Sequence, residues 1–193
     1  LQNVTNSLRR AQAGASLSMG GLLKVAEVLR VMRGLTQWRK RSEGLETSID
    51  WRFEALTPNK YLEEKIASSI LSEEEMADGA SQALGDIRRK INAASLRVRE
   101  KLDHMIHSPA YQKYLQEPIV TLRGGRFVVP VKAECRGEVP GLVHDTSGSG
   151  ATVFVEPMAV VEANNDIKVL KSKEEAEIER ILYELSQEAG GFA

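Results

Sequence analysis

The sequence predicts a mainly α-helical protein with one small antiparallel β element, elongated rather than compact. Three observations predict it. Apolar residues recur at helical spacing through residues 1–117. The pattern turns strand-like after Pro118, around Gly124 and Gly125. It becomes helical again after Glu156 and Pro157. The expected organisation is a helical core with an outgoing helix over 1–117, a β tip over 118–157 and a returning helix over 158–193.

Taken in order, Ser18 suits the N-cap of a helix whose apolar stripe is Leu22, Val25, Ala26, Leu29 and Met32. Thr57, with Pro58 at the first helical position, is expected to start another helix, with Leu62, Ile66 and Ile70 on one face. From Ser81 to His107, Leu84, Ile91, Val98 and Met105 recur every seven residues, with Ile87, Ala94 and Leu102 between them. A helix of about 26 residues is about 40 Å long, well beyond the radius of gyration of about 16 Å expected for a compact chain of this length. That disparity predicts the elongation.

IVTLR and RFVVPVK, joined by Gly124 and Gly125, read as a hairpin with a two-residue turn. Pro130 inside the second run implies an edge position or a bulge. Further strands are expected at Gly141 to His144 and Ala151 to Val155, with DTSGSG, Asp145 to Gly150, as the connecting turn. The last helix carries Val161, Ile167, Leu170, Ile178, Ile181, Leu182 and Leu185, and its polar middle, KSKEEAEIER, is expected to be solvated.

At 193 residues the chain can bury a substantial core. Its 42% apolar and 27% charged residues are an ordinary soluble composition, and no apolar run reaches the roughly 20 residues needed to span a bilayer. LQNVTNSLRR carries no initiator Met and no signal core, so the chain is expected to be a piece of something longer and not secreted. Cys135 is the single cysteine, which excludes an internal disulfide and suits the cytoplasm. It sits in VKAECRGE, a strand-like run, where a packed side chain is expected rather than a nucleophile.

The stretch from Gly141 to Asp166 concentrates the candidate chemistry. Ser147 or Ser149 with His144 and Asp145 resembles a hydrolase set. However, adjacent His and Asp point to opposite faces of a strand, and DTSGSGA runs into a strand rather than a helix. No G-x-x-x-x-G-K-[ST] loop is present, so no nucleotide site is expected here, although the turn could touch a nucleic-acid phosphate. His104 and His107 share a helical face without an evident third ligand. No catalytic residue, cofactor site or metal site is therefore expected in the chain.

Positive charge is the remaining signal. The net charge is −1, yet Arg123, Arg126, Lys132 and Arg136 stand against the single acid Glu134 between Ile119 and Arg136. Basic side chains on a projecting tip can neutralise phosphates without reading sequence, and Lys168, Lys171 and Lys173 could extend the strip. A solvated strand face with local ion pairs is the alternative.

The run GGRFVVPVKAECRGEVPGLVHDTSGSGATVFVEPMAVVEANNDI resembles bacterial MutS paralogues that carry a C-terminal Smr domain, as distinct from mismatch-repair MutS. LRRAQAGASLS and ADGASQALGDIRRKI extend the resemblance upstream. It implies a MutS-core-like helical lever with a clamp at its far end, without mismatch recognition. The full-length protein is then expected to be a homodimer with an ATPase, using ATP and Mg, and an Smr endonuclease, both absent from this chain. The implied roles are suppression of homologous recombination and DNA repair through branched DNA, or rescue of collided ribosomes by an rRNA-binding clamp. A purely structural, self-associating helical module is the rival reading. No membrane partner is expected.

Overall fold

The computed structural model describes residues 2–42, 44 and 46–192. In chain order the elements are α1 (Thr5–Gln12), α2 (Met19–Arg41), α3 (Asp50–Glu54), α4 (Lys60–Ser69), α5 (Gln82–Ile106), α6 (Pro109–Gln112), β1 (Thr121–Arg123), β2 (Arg126–Lys132), β3 (Gly141–Thr146), β4 (Thr152–Pro157) and α7 (Met158–Gly190). The fold is mainly α with one small antiparallel sheet, as the periodicity predicts. Among the described residues no helix is long and apolar enough to cross a membrane. The chain divides into two compact units, Leu1–Gly85 with Glu175–Ala193, and Asp86–Glu174.

In the first unit, Ser18 caps α2 by accepting the Gly21 N–H at 3.1 Å, and the stripe Leu22, Val25, Ala26 and Leu29 is buried as its spacing requires. These residues pack with Leu62, Ile66, Ile181 and Leu185 in one apolar cluster. The start of α4 differs from expectation. Asn59 is the cap, its Oδ1 accepting the Leu62 N–H at 3.0 Å, and Pro58 lies before the helix. An asparagine oxygen two residues after Thr57 offers an equally good acceptor, so Thr57 is left outside.

The helices of this unit are also laced by ion pairs. Arg33 holds Glu63 through two nitrogens at 2.8 Å each. Lys65 reaches Glu184 at 3.1 Å and also contacts Glu188, while Arg180 bridges Glu177 and Glu184. Hydrogen bonds from Arg33 to Glu63 and from Lys65 and Arg180 to Glu184 hold both carboxyls below the ordinary glutamate value of 4.5. Each depressed acid contributes stability that is fully present above its unfolded value and lost as pH falls through the folded one. The thermal midpoint should therefore be level near neutrality and fall between about pH 5 and pH 3. Glu63→Gln should remove part of that slope in a series of melts, and an unchanged slope would exclude Glu63 as a contributor.

The second unit is built on a sheet of order β1-β2-β4-β3, antiparallel throughout. Gly124 and Gly125 take φ of 58° and 75°, the left-handed pair that closes a two-residue hairpin, with Arg123 opposite Arg126. One sheet face supplies Phe127, Val129, Val131, Val153 and Val155 to a core completed by Val98, Leu102 and Ile106 of α5 and Val160 and Ile167 of α7. Val98 and Leu102 come from the seven-residue seam, whose apolar partner on this side is largely a sheet.

Two expectations for this region are corrected. Pro130 is neither on an edge strand nor at a bulge: β2 lies between β1 and β4, and Pro130 pairs with Phe154. β1 has ended by that point, and the Pro130 carbonyl accepts the Gln116 N–H at 2.9 Å. The proline nitrogen faces that same flank, away from β4, so the ladder to β4 loses no donor. Cys135 is not in a strand. Ala133–Glu138 is a 3₁₀ turn, and the half-buried Cys135 packs against the second core.

Candidate nucleic-acid interface

The motif-rich stretch forms the far half of the sheet. β3 and β4 pair with a bulge between Val143 and Asp145, so His144 is the extra residue. The turn beyond them is tied internally. Ser147 Oγ accepts the Thr152 N–H at 3.1 Å, Asp145 Oδ1 accepts the Thr146 N–H at 2.8 Å, and Gly150 supplies a φ of 74°. Asp145 and Thr146 belong to β3, which makes the turn shorter than the run DTSGSG. His144 Nε2 approaches Glu156 Oε2 at 3.3 Å, while Ser147 Oγ lies 3.3 Å from Ser149 Oγ. No nucleophile–base pair is formed there.

Glu156 is the buried centre of the corner, with 0% of its side chain exposed. Arg126 holds it through Nε on Oε2 and through Nη2 on Oε1 at 2.6 Å, and Nη2 also donates to the Val161 carbonyl at 3.2 Å. Donating to the Glu156 carboxylate raises the guanidinium pKa, keeping Arg126 charged. Beside this pair the buried Asn164 brackets Phe127, accepting its N–H at 3.4 Å and donating to its carbonyl at 3.3 Å. Together they pin the hairpin to α7. Gly141 allows β3 to approach β4 here, since a Cβ on it would lie 2.2 Å from the Glu156 carbonyl oxygen.

The seven basic residues singled out in the sequence fare differently. Arg126 is 14% exposed and paired with Glu156, so it forms the corner and does not face solvent with the rest of the strip. Arg123 pairs with Asp145 at 3.3 Å, and its guanidinium carbon lies 4.0 Å from the centre of the Phe154 ring. Lys132 is half-buried and donates to the Lys113 carbonyl at 3.3 Å. Arg136 is exposed on the 3₁₀ turn, and Lys168, Lys171 and Lys173 are exposed on α7. Lys168 and Lys171 share a helical face, but Lys173 is about 140° away from Lys168.

Sequence reasoning missed the Arg126–Glu156 pair, Asn164 and the Arg123–Phe154 stack. A signal for the first was present: an acid inside the apolar run VFVEP has to find a cationic partner once the strand is buried. Among the described residues no group of three or more His, Cys, Asp or Glu is placed to hold a metal. The two histidines of α5 and its C-terminal end are both exposed, and His107 donates locally to the Asp103 carbonyl at 2.8 Å.

These observations define a mainly helical protein module with a four-stranded sheet whose prominent chemistry is ion pairing and exposed cations. The chain is similar to proteins named Endonuclease MutS2. That of Acetivibrio thermocellus is 51% identical, covering 100% of this chain and 25% of the relative. Those of Ruminiclostridium cellulolyticum and Clostridioides difficile are 50% and 46% identical, each covering 98% of this chain and 24% of the relative. Such identity across the chain supports a MutS-family paralogue. The chain spans about a quarter of the length of these relatives. No family model matches it.

Proposed function

We propose that the chain is a non-catalytic lever and clamp segment of a MutS-family ATPase, gripping branched DNA through its phosphates without mismatch recognition. Suppression of homologous recombination and DNA repair are the roles this reading carries, in a cytoplasmic homodimer. The nuclease named in the relatives and the ATPase, with its ATP and Mg, are assigned to other parts of the full-length protein. The observation that supports gripping is that Arg136, Lys168 and Lys171 are exposed and, among the described residues, carry no ion pair. Cations left unpaired in a chain of net charge −1 are available to phosphates.

The test is salt titration of the full-length protein with Arg136, Lys168 and Lys171 changed to Glu. Each lost phosphate contact should shallow the slope of log affinity against log salt by about 0.9 on duplex DNA arms. Lys173→Glu, displaced round the helix, should do less. Running the titration on a four-way DNA junction and on ribosomes separates recombination suppression from ribosome rescue, since the physiological partner should show the larger change. Wild-type slopes on both partners would end the phosphate-gripping assignment.

A further inference from the structure

Arg123 does something in the structure that phosphate contact does not require. β1 and β3 are the two edges of the sheet, separated by two strands. Strands are about 4.8 Å apart, so the edges of a flat sheet would lie about 14 Å from each other. Yet Arg123 Nε of β1 lies 3.3 Å from Asp145 Oδ2 of β3. The two side chains therefore meet over the face opposite the apolar core, with Arg123 lying across it. Phe154 is beneath, on the face that alternation assigns it, between the core-facing Val153 and Val155.

The guanidinium is also held in place. Nη1 donates to Thr121 Oγ1 at 3.1 Å and to the Leu122 carbonyl at 2.8 Å, Nε faces Asp145, and the guanidinium carbon sits 4.0 Å over the centre of the Phe154 ring. The side chain nevertheless remains 36% exposed. Next to it in sequence, Gly124 and Gly125 present no side chain, and a Cβ added to either meets nothing within 4 Å. The result is a flat, weakly hydrated cation, fixed in advance and still partly open to solvent. Such a plane stacks on flat π systems, and its fixed position lowers the ordering cost of binding.

We propose that the Arg123–Phe154 stack is a landing platform for an unpaired nucleobase. This rests on the nucleic-acid reading above and deepens it. Bases in a duplex are stacked on one another and offer no free face, whereas bases in single strands, flaps and loops stack on aromatic rings and on arginine planes. The exposed cations Arg136, Lys168 and Lys171 supply phosphate affinity without distinguishing strand state, and the platform adds preference for unpaired nucleotides.

The test uses the full-length protein, 2-aminopurine in an unpaired flap of DNA or of RNA of the same sequence, and a fully paired DNA duplex. Binding should quench the flap fluorescence, and the strand type that quenches identifies the source of the base. Arg123→Lys keeps the charge and loses the plane. It should abolish quenching and weaken flap binding about tenfold, the scale of one lost base stack, with duplex affinity unchanged. Phe154→Leu, which keeps Arg123 but removes its support, should act in the same direction and serves if the lysine variant does not fold. Unquenched emission on wild-type binding, or an Arg123→Lys protein matching wild type on flap and duplex alike, would overturn the platform while leaving phosphate gripping intact. Absence of salt-sensitive binding to every probe would overturn both.

Discussion

Replacing Arg126 with methionine is expected to destabilise the protein by about 3 kcal/mol or more, as for a buried ion pair that loses one partner. The loss follows from Glu156 rather than from Arg126 itself. With 0% of its side chain exposed, the carboxylate would keep its burial cost and lose both guanidinium contacts. His144 Nε2 at 3.3 Å is one remaining neighbour and cannot replace a two-nitrogen grip. Replacing both partners, Arg126→Met with Glu156→Leu, should recover much of the stability, because no buried charge is then left unpaired. Denaturant unfolding of the wild type, both single variants and the double variant gives the coupling directly. A coupling below about 1 kcal/mol would mean that the corner is held by packing alone.

Gly141→Ala should have an effect of similar size, about 3 kcal/mol, at the upper end of the cost of overpacking a tight site. Alanine adds one methyl group, and in an ordinary strand that change is mild or favourable. Here the new carbon would lie 2.2 Å from the Glu156 carbonyl oxygen and 2.9 Å from its carbonyl carbon, with the Val155 side chain at 2.8 Å. Two of the three are backbone atoms within the ladder, so no rotamer change relieves the contact. Part of β3 has to lift away from β4, which would appear as faster amide exchange in Gly141–Thr146. Native exchange rates there, with an unchanged melt, would show that the strands can shift without cost.

How much of this was readable in the residues depended on how far apart the interacting groups lie along the chain. The Ser18 cap, the Leu22–Leu29 stripe and the Gly124–Gly125 turn are local, and each is set by residues within a few positions of one another. The cap of α4 falls two residues after the expected Thr57 because Thr57 and Asn59 are both good acceptors, and the backbone decides between them. Pro130 signals an edge in the sequence because nothing there says that β1 is only three residues long. The polar corner was hidden for a different reason. Arg126 and Glu156 are thirty positions apart, and β4 inserts between β2 and β3. Only that strand order turns a basic residue expected to face solvent into the partner of a buried acid. The same order brings Arg123 over Phe154.

The bulge at His144 bears on how copies of this protein coexist at high concentration. β3 is an edge strand whose residues are all exposed, including Leu142 at 47% and Val143 at 36%. A regular strand of that kind would be a template on which another chain could extend the ladder indefinitely. The extra residue breaks the spacing of donors and acceptors halfway along, and Asp145 places a charge immediately after it. The irregularity that positions His144 beside Glu156 thus also makes the rim a poor seed for fibrous stacking, so solubility and the anchoring of the corner depend on the same residue.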